Sequence, residues 1–218
     1  MNVKDVEETM DGTNQDRLVL IFNRQRELME KYHHIEKNLR LTPDCPVSLH
    51  DSKGQLLLKD FAWRTTEELA EAIDAIENGE SEEHIKEEVA DALHFLVEMG
   101  ILSNITPDIL LTLDPDELPP HDYLETLFSL WTYENKLNYS EAFTQFIVRL
   151  GMVCHTLKNK PWKQTQMLTD IKEYTTRYIE TFHYFIRFCI SIDLQPEELF
   201  QLYFKKSKVN AFRIRSSY

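Results

Sequence analysis

Two acidic pairs, placed symmetrically about a turn, constrain this chain more than any other feature. Glu68 and Glu71 stand in Glu67-Glu68-Leu69-Ala70-Glu71, and Glu88 and Asp91 in Glu87-Glu88-Val89-Ala90-Asp91. Residues three apart share a helix face, so each pair can converge. Between them, Asn78-Gly79 is a helix stop, because glycine tolerates the left-handed backbone beyond a helix end. Ser81 is an N-cap, with Glu82 and Glu83 favourable in the first turn. Two helices, about 63–77 and 81–102, therefore form an antiparallel hairpin. Across such a hairpin the numbers of facing residues add to a constant. Positions 68 with 91, and 71 with 88, give the same total, with its midpoint between Gly79 and Glu80. The four carboxylates then sit at two matched levels across helices about 8–10 Å apart. Ala70, Ala72, Ala90 and Ala92 would permit the close approach, with Ile73, Leu93 and Leu96 packing between the helices.

One i,i+3 acid pair in an acidic chain (37 acids against 24 bases, net −13) is ordinarily a solvated helix face. Four converging carboxylates are different. Like charges repel, and some would be forced to protonate unless a cation intervenes. Oxygen ligands without thiolates favour magnesium, with manganese as the alternative. Two such ions about 4 Å apart suit phosphoryl displacement. The negative balance argues against nucleic acid as a partner.

The remaining pattern is helical throughout. Apolar residues recur at helical spacing from 16 to 37, and further helices are expected near 121–136, 139–158 and 164–192. A last short helix begins at Pro196, a suitable first-turn proline. Residues 39–61 read as irregular, with the turn-like Asp51-Ser52-Lys53-Gly54 and room for a short hairpin; 104–121 reads as a proline-interrupted loop. The fold class is all-α, a helical bundle built round the hairpin. Residues 1–15 read as a disordered leader and 16–218 as one domain, in which about 104–195 is a mobile or dimerisation part. Three scattered cysteines without a CxxC, no signal-peptide core and no bilayer-length apolar run place the chain in the cytoplasm, away from membranes.

From Leu202 to Tyr218 the chain carries five positive residues and no acid. Lys206, Arg213 and Arg215 are candidate phosphate ligands, arginine being suited to bidentate contact. Trp63 and Trp162 are candidates for base stacking, though tryptophan is more often a packing anchor.

Together these segments resemble the all-α nucleotide pyrophosphohydrolases. Glu68-Leu-Ala-Glu71 with Glu88-Val-Ala-Asp91-Ala-Leu-His94-Phe95 is similar to their paired ExxE and ExxD metal motifs, shared by MazG-type enzymes, phosphoribosyl-ATP pyrophosphohydrolase, dimeric dUTPases and phage dCTPase–dUTPases. The tail, Tyr203-x-x-Lys206-x-x-Val209-Asn210-x-Phe212-Arg213-x-x-x-x-Tyr218, is similar to the nucleotide-binding motif of the last two groups, and Gln25-Arg26-Glu27-Leu28 to their Gln-x-x-Leu segment. The resemblance implies that Glu68, Glu71, Glu88 and Asp91 bind magnesium, with Glu71 and Glu68 carrying the catalytic chemistry. It also implies that Gln25 contacts the pyrimidine, Asn210 the nucleoside, and Lys206, Arg213 and Tyr218 the phosphates. His94 would support the ligands or pack.

The implied activity is hydrolysis of dUTP to dUMP and pyrophosphate by a homodimer. Alternatives are dCTP or both pyrimidines, a MazG-like house-cleaning activity, or an inactive helical binding module. The chain departs from the family pattern at Met29, where asparagine is usual, at Ser207, and at Ser217 before the final tyrosine.

Overall fold

The computed structural model describes residues 15–36, 45–111, 121–131, 136–159, 162, 164–165 and 167–216. Residues 1–14 of the expected leader, residues 112–120 of the proline-interrupted stretch and Tyr218 lie outside them. The described residues form seven α-helices and one 3-10 turn, with no strand. The helices are α1 (Arg17–Glu36), α2 (Ser52–Glu77), α3 (Glu82–Leu102), α4 (Tyr123–Ser129), α5 (Tyr139–Thr156), α6 (Ile171–Ser191) and α7 (Pro196–Arg215); the 3-10 turn spans Pro107–Leu111.

The α2–α3 hairpin forms as its local signals dictate. Asn78 caps α2, Gly79 has φ of 69°, and the Ser81 side chain accepts from the His84 N–H. Ala72, Ala90 and Ala92 are fully buried, but Ala70 is exposed and takes no part in the close approach. Leu69, Val89, Leu93 and Leu96 fill the space between hairpin and bundle.

Several boundaries differ from expectation: the helix expected over 121–136 ends at Ser129, the expected loop carries the 3-10 turn, and no hairpin of strands forms among the described residues of 39–61. Helix α2 begins at Ser52, eleven residues before the expected start at 63. The Asp51 side chain caps it by accepting from the Gly54 N–H, so the supposed turn is a helix start. A Cβ at Gly54 would lie 2.5 Å from the Ser48 carbonyl oxygen, so the incoming chain crosses α2 only over glycine. Helix α6 begins at Ile171, not 164, because Asp170 caps it. Helix α7 is not short: it runs 20 residues, through most of the basic tail.

Helices α1 and α7 pack on each other and on α3, while α5 packs on α2 and pairs with α6. Aromatic side chains of α5 and α6 (Phe146, Tyr174, Tyr178, Phe182, Phe185, Phe188) belong to the same apolar core as the hairpin. The Tyr178 hydroxyl donates to the Leu96 carbonyl at 2.7 Å, which pins α6 to α3. At the opposite corner the Arg17 guanidinium meets Asp122 and Glu197, each at 2.9 Å, and so joins α1 to α4 and α7. No helix among the described residues is long and apolar enough to cross a membrane.

Candidate active site

Helical periodicity sets out the site on four separate stripes. On α3, Glu88, Asp91, His94 and Glu98 follow one another at three- and four-residue steps, with Phe95 next to His94 and four residues after Asp91. On α7 the sequence Tyr203, Lys206, Asn210, Arg213 does the same; on α1, Gln25, Leu28 and Tyr32; on α2, Arg64, Glu68 and Glu71. Packing of α1, α2, α3 and α7 turns these stripes inward around a pocket of about 260 Å³. Gln25, Glu68, Asp91, His94, Asn210 and Arg213 line it, as do Arg64, Phe95 and Glu98, which sequence reasoning did not single out.

At one end, ligand oxygens of Glu68, Glu71 and Glu88 lie within 4.8 Å of one another. Glu88 is 8% exposed, Glu68 half-buried and Glu71 open to solvent. Burial, then the nearby charges of Asp91, Glu71 and Glu88, push the Glu68 carboxyl up to about 7. Burial likewise raises Glu88 and Asp91 above the ordinary carboxylate range. The fourth carboxylate, Asp91, stands beside this trio but is taken by the Lys206 ammonium at 2.6 Å. Lys206 also reaches Glu87 at 3.9 Å, and His84 Nδ1 approaches Glu88 at 3.3 Å. All three clustered donors are hard oxygens, and the raised proton affinity of Glu68 and Glu88 is the response of a site that a divalent cation would neutralise. The set therefore fits magnesium or manganese.

Lys206 thus lies at the carboxylate end, held by a ligand of the expected cation. Its neighbour Lys205 faces outward and pairs with Glu83 at 3.0 Å and Glu87 at 2.6 Å. Arg213 is exposed at the pocket rim and Asn210 half-buried within the lining.

At the other end the groups hydrogen-bond to one another. Gln25 is 2% exposed. Its Oε1 accepts from the Tyr203 hydroxyl at 2.7 Å and lies 2.8 Å from His94 Nδ1; its Nε2 donates to Glu98 at 2.8 Å. The rings of His94 and Tyr203 stack with centroids 3.9 Å apart. Burial pushes the His94 imidazole down to about 3, so it is neutral. Across the pocket the Arg64 guanidinium lies 4.9 Å from the Phe61 ring centroid and 5.8 Å from that of Phe95. Trp63 is 62% exposed, is not among the lining residues, and so does not stack there; Trp162 is more exposed still. Of the departures from the family pattern, Met29 packs against the core and Ser207 is buried against Arg24 Nε.

Signals for the missed residues were present in the spacing. Glu98 is seven residues after Asp91, and Arg64 is four before Glu68. Neither could be told from an ordinary helical residue until the helices were packed.

An acidic cluster at one end of a pocket and a fixed amide at the other suit a ligand with a metal-binding anionic part and a polar ring. No curated protein and no solved structure matches the chain. A family model described as dUTPase matches residues 17–218, nearly the whole chain, and the chain belongs to that family, the all-α dUTPases.

Proposed function

We propose that this chain hydrolyses dUTP to dUMP and pyrophosphate in a magnesium-dependent reaction, as a homodimer. Family membership supports a nucleotide pyrophosphohydrolase. The observation that carries the finer reading is that Glu68 belongs both to the carboxylate cluster and to the pocket that Gln25 and Asn210 line. A nucleotide with its base at Gln25 would reach the cluster with its triphosphate.

Glu68, Glu71, Glu88 and Asp91 are the residues that would hold magnesium. When bound, the cation would offset their mutual repulsion and stabilise charge developing on the triphosphate. Lys206 would release Asp91 and turn its ammonium to a phosphate oxygen, while Arg213 would grip the chain from the rim. Gln25 and Asn210 would hold the nucleoside so that one phosphorus stands in line with water beside Glu71. Glu71, the most open of the acids, would accept that water's proton on a carboxylate oxygen. Phe95 and the Arg64 guanidinium supply flat apolar and cationic surface beside the base.

The test is pyrophosphate release from dUTP, dCTP, dTTP, dATP, dGTP and UTP, with magnesium and with chelator, alongside the solution mass of the protein. Chelator-sensitive turnover of dUTP alone supports the reading. Comparable turnover of dCTP widens it to both pyrimidines, and no turnover of any substrate rejects it.

A further inference from the structure

Family resemblance gives Gln25 a role at the base but leaves Glu98 without one. The structure fixes the Gln25 amide in a single orientation. Its Oε1 faces the Tyr203 hydroxyl and its Nε2 faces Glu98. An ionised carboxylate only accepts hydrogen bonds, so turning the amide round would set two acceptors against each other. With Oε1 on its near side, His94 Nδ1 is the donor, which leaves His94 Nε2 with a lone pair. That atom is buried and has no hydrogen-bond partner among the described residues. Gln25 therefore does not turn its amide to suit the base. Gln25 and Glu98 both line the pocket, and Gln25 Nε2 has a second N–H besides the one it gives to the Glu98 carboxylate.

A donor next to an acceptor is the complement of a carbonyl next to a ring N–H. Resting on the activity proposed above, we infer that Glu98 is a specificity-determining residue, whose carboxylate accepts an N–H from the edge of the base while Gln25 donates to the neighbouring acceptor. For uracil these partners are N3–H and an adjacent carbonyl oxygen. For cytosine they are the 4-amino group and N3. A base without a donor at this edge leaves a charged acceptor facing an acceptor or an apolar group, and is refused. A carboxylate offers about four lone-pair sites, so Glu98 can take a base N–H in addition to the partners it already has, Gln25 among them. Met29, in the place where the family often has a polar amide, is partly buried against the core and offers no hydrogen-bonding amide to the base.

The experiment compares dUTP with 3-methyl-dUTP, which lacks the N3–H, on the wild type, Glu98→Gln and Glu98→Ala, with thermal melts of each. The wild type should prefer dUTP by roughly tenfold to a hundredfold in kcat/KM, the range for a hydrogen bond to a charged group. Glu98→Ala should raise KM for dUTP and shrink that preference by about tenfold, as expected of directly coupled groups. Inhibition by inorganic pyrophosphate, which engages the other end, should be unchanged. A preference that is the same in wild type and variant, or wild-type turnover of 3-methyl-dUTP equal to that of dUTP, overturns the assignment. The wild-type comparison decides alone should both variants fail to fold. Wild-type turnover of dUTP with an indifferent Glu98→Ala defeats only the Glu98 assignment. If the wild type turns over neither nucleotide, the functional reading has failed and this inference falls with it.

Discussion

At one end of the pocket Glu68, Glu71 and Glu88 crowd like charges into 4.8 Å; at the other Gln25, His94, Tyr203 and Glu98 are joined by hydrogen bonds of 2.7–2.8 Å. The first end is unfavourable until something binds. The second is joined by its own hydrogen bonds, with His94 Nε2 left without a partner among the described residues. The difference teaches that one pocket can combine a region of unrelieved repulsion with a region held by its own hydrogen bonds, as the proposed division between chemistry and recognition requires. Substitutions at the two ends should therefore change activity and stability in different proportions.

The largest separation is expected at the carboxylates. Glu71→Ala or Asp91→Ala should lower kcat by about 10³-fold or more, the scale of lost metal-assisted stabilisation, with circular dichroism showing the helices intact. Near-wild-type turnover with magnesium would remove these residues from the metal site. At the Gln25 end Tyr203→Phe removes the buried hydroxyl that donates to Gln25 and so leaves an acceptor short of a partner. It should cost about 1–3 kcal/mol of stability in denaturant titration and raise KM more than it lowers kcat. A variant as stable as wild type would show that the network does not stiffen this end.

Acid–base behaviour sharpens the contrast. The Glu68 carboxyl is raised from 4.5 to about 7, so the folded chain binds its proton more tightly than the unfolded chain. Its contribution to stability is full below pH 4.5 and is lost as pH rises through about 7. In chelator, the melting temperature should fall across that window, more in wild type than in Glu68→Gln. Added magnesium should reverse the trend, since cation binding displaces the proton. An identical pH profile in wild type and Glu68→Gln would contradict the raised value. The smallest effect is expected at Lys205→Ala, which breaks exposed pairs with Glu83 and Glu87. Less than about 1 kcal/mol should be lost, and that loss should diminish with salt. A larger, salt-independent loss would mean that α7 depends on this contact for docking to α3.

Much of the carboxylate end was legible beforehand. Glu68, Glu71 and Glu88 converge because i,i+3 spacing and a turn at Gly79 are local facts, written within 24 consecutive residues. The turn itself formed with the cap residues that chemistry prefers. The start of α2 was misread for an equally physical reason. Asp51, Ser52 and Gly54 favour turns and helix N-termini alike, since both conformations use a short side chain to bond a backbone N–H two or three residues on. Only the packing of the preceding segment over Gly54 distinguishes them. The tail was recognised as basic and as motif-bearing, yet its continuation as α7 gave the motif its geometry. Steps of three and four residues between Tyr203, Lys206, Asn210 and Arg213 make one helical face.

What the sequence alone determined is the all-α class, the hairpin, its register and three of the clustered acids, because each depends on neighbours within a few helical turns. Tertiary structure alone decided that Lys206 would meet Asp91, that Tyr203 would lock Gln25, and that Glu98 would stand 2.8 Å from an amide 73 positions away. Such contacts depend on how four helices pack against one another around a shared core. Periodicity shows which face of a helix is buried; it does not name the residue that will lie opposite.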